Sequence, residues 1–216
     1  FKSIQQLNEG FLVNWIHAGA HRSPRTKNTM IGFARGFFNY LIRLELAHDN
    51  HTQRIRNLKF KPHKPYIFAL KEIQSLMAGA RLHKCSLPQK CFLGHTMETL
   101  IFLLYACGLR ISEAMNLKIE DVDFEENILS LWKTKFHKER LVPFSDAAAR
   151  KLKAFLDLRI KRFPPASPQD PFFGHRTGKY TKSTIRDQFR QLLVRCCLAK
   201  PKGRGPRLHD IRHSFA

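Results

Sequence analysis

Acidic residues are scarce in this 216-residue chain: 17 Asp and Glu stand against 38 Lys and Arg, leaving a formal charge of +21 and a pI near 10.3. That balance calls for a polyanionic partner, because each cation set against a nucleic-acid backbone releases condensed counterions, and a ribosome-associated protein or one bound to an anionic membrane is the alternative. Long apolar runs are also missing. The longest, Leu100 to Gly108, is too short to cross a bilayer. The five cysteines, Cys85, Cys91, Cys107, Cys196 and Cys197, are odd in number and lack disulfide-like spacing. The start, Phe1-Lys2-Ser3, has no secretory pattern, so a reduced, cytoplasmic setting is expected. No internal repeat and no low-complexity tract is visible.

What is present suits a packed core: 43% hydrophobic and 25% charged residues. Ile4, Leu7, Phe11, Leu12, Trp15 and Ile16 have helical spacing. Ser23-Pro24 is a cap followed by a first-turn proline, and Met30, Phe33, Phe37, Phe38, Leu41 and Ile42 predict an amphipathic helix to about Leu46. Gly32 and Gly36 weaken that helix unless close packing needs them. From Asp49 to Lys64 the periodicity fades, and Pro62 and Pro65 forbid a helix. The reading is a small helical domain over 1–50, a basic linker over 51–65 and a second domain over 66–216.

In the second domain, helices are predicted near 70–80 and 96–107, with Ser112 capping a third. The period then changes. Asp121 to Asp123, Ile128 to Trp132 and Arg140 to Phe144 read as strands, and Phe172-Phe173 as a short extended piece. Ser145-Asp146 opens a helix, and a further one spans about Ser183 to Leu198. A basic loop from Lys200 to Arg207 precedes a last helix starting at Leu208.

Three segments carry chemistry. In Gly108-Leu109-Arg110-Ile111-Ser112-Glu113 an arginine sits at a corner between two helices, where its guanidinium can take two phosphate oxygens and Glu113 can hold it. In Lys133-Thr134-Lys135-Phe136-His137-Lys138-Glu139-Arg140-Leu141-Val142-Pro143 basic residues fill a turn between strands. In Leu208-His209-Asp210-Ile211-Arg212-His213-Ser214-Phe215, His209 and Arg212 share a helix face. A guanidinium that neutralises charge beside an imidazole that moves a proton suits a phosphodiester. Taken alone, each segment also reads as a helix cap, a solvated turn or a helix start.

In this order the three resemble the signature of the tyrosine recombinases of the phage-integrase type, over about residues 66–216 and more loosely before. The resemblance implies a fold mainly α with a small antiparallel β-sheet (α+β): a small helical core-binding domain plus an integrase-type catalytic domain. By position Arg110 and Arg212 look like the two phosphate-gripping arginines, His209 like the histidine of His-x-x-Arg, Lys135 like the lysine that protonates the leaving 5′ oxygen, and Glu113 like the acidic buttress. Lys133 and Lys138 compete with Lys135 for that role. Ala69 stands where the family tends to have a capping Thr or Ser.

The implied reaction is site-specific DNA cutting and rejoining through a 3′-phosphotyrosine, without metal or other cofactor. The implied partner is double-stranded DNA, bound as a homotetramer on paired sites by the complete protein of a mobile element, nucleoid-associated and off the membrane. DNA contacts are expected from Arg22, Arg25, Lys27, Arg54, Arg56, Lys59, Lys202 and Arg204. Tyr40, Tyr66, Tyr105 and Tyr180 all precede Arg212, so none matches the nucleophile. The reading frame is therefore expected to continue, with a His or Trp and then a Tyr about thirty residues past Arg212. A non-catalytic DNA-binding remnant is the alternative, and a type IB topoisomerase shares the chemistry. His83, Cys85, Cys91 and His95 match no standard zinc spacing.

Overall fold

The computed structural model describes residues 7–19, 21–62, 64–82, 88–132, 139–164, 167–175, 178–201 and 205–215, with the backbone alone at 88–91. The chain divides into two compact units, Phe1–Lys64 and Pro65–Ala216.

The first unit holds α1 (Glu9–His17) and α2 (Pro24–Arg43). Asn8 caps α1 by accepting the N–H of Phe11 at 2.9 Å, and Ser23 caps α2 by accepting that of Thr26 at 3.2 Å. Helix α2 stops at Arg43, short of Leu46, because Glu45 turns left-handed (φ 59°) and Leu46 N–H bonds back to Leu41 O at 3.0 Å. Leu12, Ile16, Ile31, Ala34, Phe38, Leu41 and Ile55 make the core. Ile55 belongs to the stretch expected as linker. Arg35 donates to its carbonyl at 2.5 Å, and the Asn28 amide pairs with both backbone groups of Leu58 at 2.7 and 2.8 Å. Residues up to Leu58 are thus tied to this unit, and among the described residues after it, 59–62 and 64, no such bond is present. Gly32 and Gly36 look onto open space, so no close packing accounts for them.

The second unit is built on α4 (Pro88–Cys107), whose Leu93, Met97, Leu100, Ile101, Leu103 and Leu104 are all buried. A helix apolar all round belongs inside, and α3 (Leu70–Arg81), α6 (Asp146–Arg162), α7 (Lys182–Arg195) and the short α8 (Asp210–His213) pack against it. Its one buried acid, Glu98, is neutralised by Arg81 at 2.9 Å and by Lys151. Burial pushes that carboxyl up, but the hydrogen bonds and charges of Arg81 and Lys151 leave it below its usual range.

A three-stranded antiparallel sheet lies in the order β1 (Val122–Asp123), β2 (Ile128–Leu131), β3 (Arg140–Pro143), with Leu129 opposite Val142 and Leu131 opposite Arg140. A second, two-stranded sheet pairs β4 (Gly174–His175) with β5 (Gly178–Lys179). Phe172 and Phe173, expected as an extended piece, instead form a turn between the Lys118–Pro171 bridge and β4, and both are fully buried. The fold is mainly helical with a small antiparallel sheet, as the sequence implies. No described helix is long and apolar enough to cross a membrane.

Candidate active site

Helix α5 (Ile111–Asn116) begins three residues past a sharp corner. Gly108 takes φ +58° there, ending α4, and Arg110 occupies the N-cap position with extended backbone. The cap expected at Ser112 is therefore two residues late. Arg110 has no side-chain oxygen to serve as a cap, and Glu113 at the third helical position reaches back to accept the Arg110 backbone N–H at 2.7 Å. The same carboxylate takes Arg110 Nη1 at 2.6 Å on Oε1. One side chain thus fixes both the start of the helix and the guanidinium that projects from it.

Glu113 is 5% exposed, a costly place for a carboxylate unless cations surround it. Two more arginines do so. Arg140, the first residue of β3, donates from Nη2 to Oε2 at 2.8 Å. Arg212, on α8, places Nη1 3.7 Å from the same oxygen. Burial pushes the Glu113 carboxyl up, yet the backbone and side-chain hydrogen bonds of Arg110 and the charges of Arg140 and Arg110 hold it below its usual range. Arg110, Arg140 and Arg212 remain 38%, 36% and 29% exposed, so each still shows part of its guanidinium to solvent.

Helix α8 is only four residues long, and other contacts seat it. Asp210, fully buried, accepts the Arg207 backbone N–H at 2.9 Å and Arg207 Nη2 at 3.3 Å. Ser214 Oγ donates to Asp210 O at 3.1 Å and accepts the Phe68 N–H at 2.8 Å. His209, at the helix start, faces His213 with ring centroids 5.1 Å apart. Burial and the charges of His213 and Arg212 lower its pKa from the ordinary 6.5, against a smaller opposing effect of Asp210. That shift favours the neutral imidazole, the form able to accept a proton.

Of the residues read from the sequence, Arg110, Glu113 and Arg212 meet directly, and His209 sits on the same short helix as Arg212. Arg140 is the member that sequence reasoning passed over. It stands in the same Lys-Glu-Arg-x-Val-Pro stretch as the basic turn, and a cation at the foot of that hairpin was the available signal. Lys135, its competitors Lys133 and Lys138, and Lys202 and Arg204 lie outside the described residues, as do His83 and Cys85. Arg22, Arg25, Lys27, Arg54, Arg56 and Lys59 all belong to the first unit. Arg22 there donates to Met30 Sδ at 3.3 Å, while Arg25, Arg54, Arg56 and Lys59 are exposed. Tyr66 gives its hydroxyl to Glu72 at 2.5 Å, and among the described residues no hydrogen bond joins a tyrosine to Arg110, His209 or Arg212. Those residues also hold no group of three side chains fit for a metal ion.

Residues 67–216 match the phage integrase family. The candidate integrase/recombinase y4rB of Sinorhizobium fredii is 31% identical over 211 residues, covering 94% of this chain and 65% of that one. A tyrosine recombinase of Pseudothermotoga lettingae is 31% identical over 188 residues, 86% of this chain and 58% of that one. The chain thus spans less than two thirds of the length of these curated relatives. Among solved structures, the Tn1549 transposon integrase in complex with circular-intermediate DNA superposes with a TM-score of 0.74 at 16% identity, covering 98% of this chain and 72% of that one. The XerH site-specific recombinase bound to palindromic difH substrate gives 0.71 at 19%, covering 100% and 62%. At such identities the likeness speaks for the fold.

Proposed function

Since the chain belongs to the phage integrase family of tyrosine recombinases, we propose that its second unit grips a DNA phosphodiester for strand cleavage and rejoining, on behalf of a site-specific recombinase of a mobile element. The observation that carries this reading is the shared carboxylate. Glu113 draws Arg110, from the α4–α5 corner, and Arg212, from α8, to one point. Two guanidiniums held so can take the non-bridging oxygens of one phosphate, while the neutral His209 beside them accepts or returns a proton.

A tyrosine hydroxyl supplied from outside residues 1–216 attacks phosphorus in line. The bond to the 5′ oxygen breaks, and that oxygen takes a proton from Lys135. The resulting 3′-phosphotyrosyl link keeps the energy of the broken bond, so a second 5′ hydroxyl reverses the step without ATP or metal. Arg110 and Arg212 supply charge stabilisation and positioning, which dominate phosphoryl transfer. The small helical unit and its exposed arginines hold the duplex, and the complete protein works as a homotetramer on paired sites, in the cytoplasm and at the nucleoid.

The test has two parts. The 216-residue chain binds duplex DNA with an affinity that falls steeply with salt; about six neutralised phosphates give a slope of log K on log salt near −5. Flat salt dependence would remove the DNA-gripping reading. On a nicked suicide duplex carrying its selected site, the intact reading frame forms a covalent adduct and the 216-residue chain forms none. An adduct from the 216 residues alone would overturn the assignment of the nucleophile, and none from the intact protein would leave a non-catalytic DNA binder.

A further inference from the structure

Glu113 carries more cations than a phosphate clamp of two arginines needs. Its Oε1 serves Arg110 Nη1 and its Oε2 serves the Arg110 backbone, so the capping arrangement already satisfies both oxygens once. Arg140 adds a third bond, to Oε2 at 2.8 Å. Arg212 Nη1 waits 3.7 Å from that same oxygen, buried and without a hydrogen-bond partner. A buried N–H beside a carboxylate gains by closing the gap. What holds it off is that Arg140 already occupies the oxygen it would reach.

We propose that Arg140 is a positioning residue of the cleavage reaction: it holds Glu113 so that Arg212 stays presented to the scissile phosphate and does not collapse onto the carboxylate. This rests on the strand-cleavage reading above. The β-sheet makes Arg140 suited to the task. Its backbone is paired across β2 with Leu131, so its reach to Glu113 is set by a ladder and not by a loop. The order of the chain also fits, because Arg110, Arg140 and Arg212 come from a helix start, a strand start and a terminal helix, three elements with no sequence neighbourhood in common. Removal of Arg140 frees Oε2. Arg212 then pairs with it, and a guanidinium spent on an internal carboxylate has less left for a phosphate.

The experiment compares single-turnover cleavage by the intact recombinase and its Arg140→Gln variant on two suicide substrates. One has an ordinary scissile phosphodiester; in the other a methylphosphonate replaces one charged non-bridging oxygen with a methyl group, so that less charge needs a guanidinium. Arg140→Gln is expected to slow cleavage of the phosphodiester about a hundredfold, the scale of a misplaced clamp, and to slow the methylphosphonate less than about tenfold. Equal losses on both substrates would overturn the proposal, because a damaged fold does not distinguish them. Should Arg140→Gln fail to fold, Arg140→Met decides: it keeps the length of the side-chain stem but loses the bond to Glu113 Oε2, and it must show the same difference between the substrates. Failure of the cleavage reading itself looks different, since the unsubstituted protein then leaves both substrates uncut.

Discussion

The ring of Phe215 stands against Gly108 so closely that a Cβ on the glycine would meet Phe215 Cδ1 at 2.6 Å. The corner that carries Arg110 and the end of the helix that carries Arg212 therefore touch through a glycine without a side chain. Gly108 also has φ +58°, a conformation that costs an L-residue about 1–2 kcal/mol. Gly108→Ala is expected to lower stability by at least about 1–2 kcal/mol in urea unfolding. Adding Phe215→Ala removes the clash and leaves the backbone cost. Gly32→Ala and Gly36→Ala, in a helix and facing open space, are expected to do the opposite, each raising the stability of the first unit by about 0.5–1 kcal/mol. An unchanged midpoint for Gly108→Ala would show that the corner relaxes at no cost.

Arg110→Lys and Arg212→Lys are each expected to abolish cleavage by the intact recombinase while DNA affinity changes little. Lysine keeps the charge but loses the two-pronged geometry. Gel-shift titration beside suicide-substrate cleavage checks both halves. Near-normal cleavage by either variant would show that its arginine does not clamp the phosphate.

His209 titrates below 6.5, because of burial and the charges of His213 and Arg212. The folded state thus binds the proton less readily than the unfolded state. Stability from this group is full above pH 6.5 and is lost as pH falls through 6.5 toward the depressed folded value. His213→Gln removes one of the charges and is expected to move the His209 titration upward, toward 6.5. Imidazole proton shifts followed by NMR measure it directly. A midpoint above 6.5 in the unsubstituted chain would contradict the picture.

Limited trypsin digestion of the free chain is expected to cut first after Lys59, because Lys61 and Lys64 are each followed by proline and trypsin does not cleave before proline. Arg54 and Arg56 are also exposed, but they flank the buried Ile55, and Asn28 ties down Leu58 beyond them. Duplex DNA should protect that site. First cleavage inside 96–117 would break the division into two units.

Much of this was legible in the sequence because it is local or ordered. The cap at Ser23-Pro24, the second half of α4 (expected near 96–107, while the helix starts at Pro88) and the Gly-Leu-Arg and His-x-x-Arg segments are short patterns, and their physics acts over one or two turns. The misses come from elsewhere. Ser112 has the chemistry of a cap, but a glutamate one residue on could cap the helix and bind the arginine at once, so the helix started earlier. Ile55 looks isolated in a basic stretch, because its burial depends on Arg35 holding its carbonyl from 20 residues away. Arg140 meets Glu113 across 27 residues, through a sheet register that no local pattern encodes.

Three guanidiniums around a single carboxylate leave two positive charges unbalanced at the Glu113 centre. A phosphodiester in the ground state brings only one negative charge. A second accumulates on the phosphate oxygens as an attacking oxyanion closes on phosphorus. On the strand-cleavage reading proposed above, the centre would be undercompensated by resting DNA and matched by DNA in mid-reaction, and only an interaction that strengthens along that path lowers the barrier. The third arginine makes this difference, since with two the charge would already balance before any bond had moved.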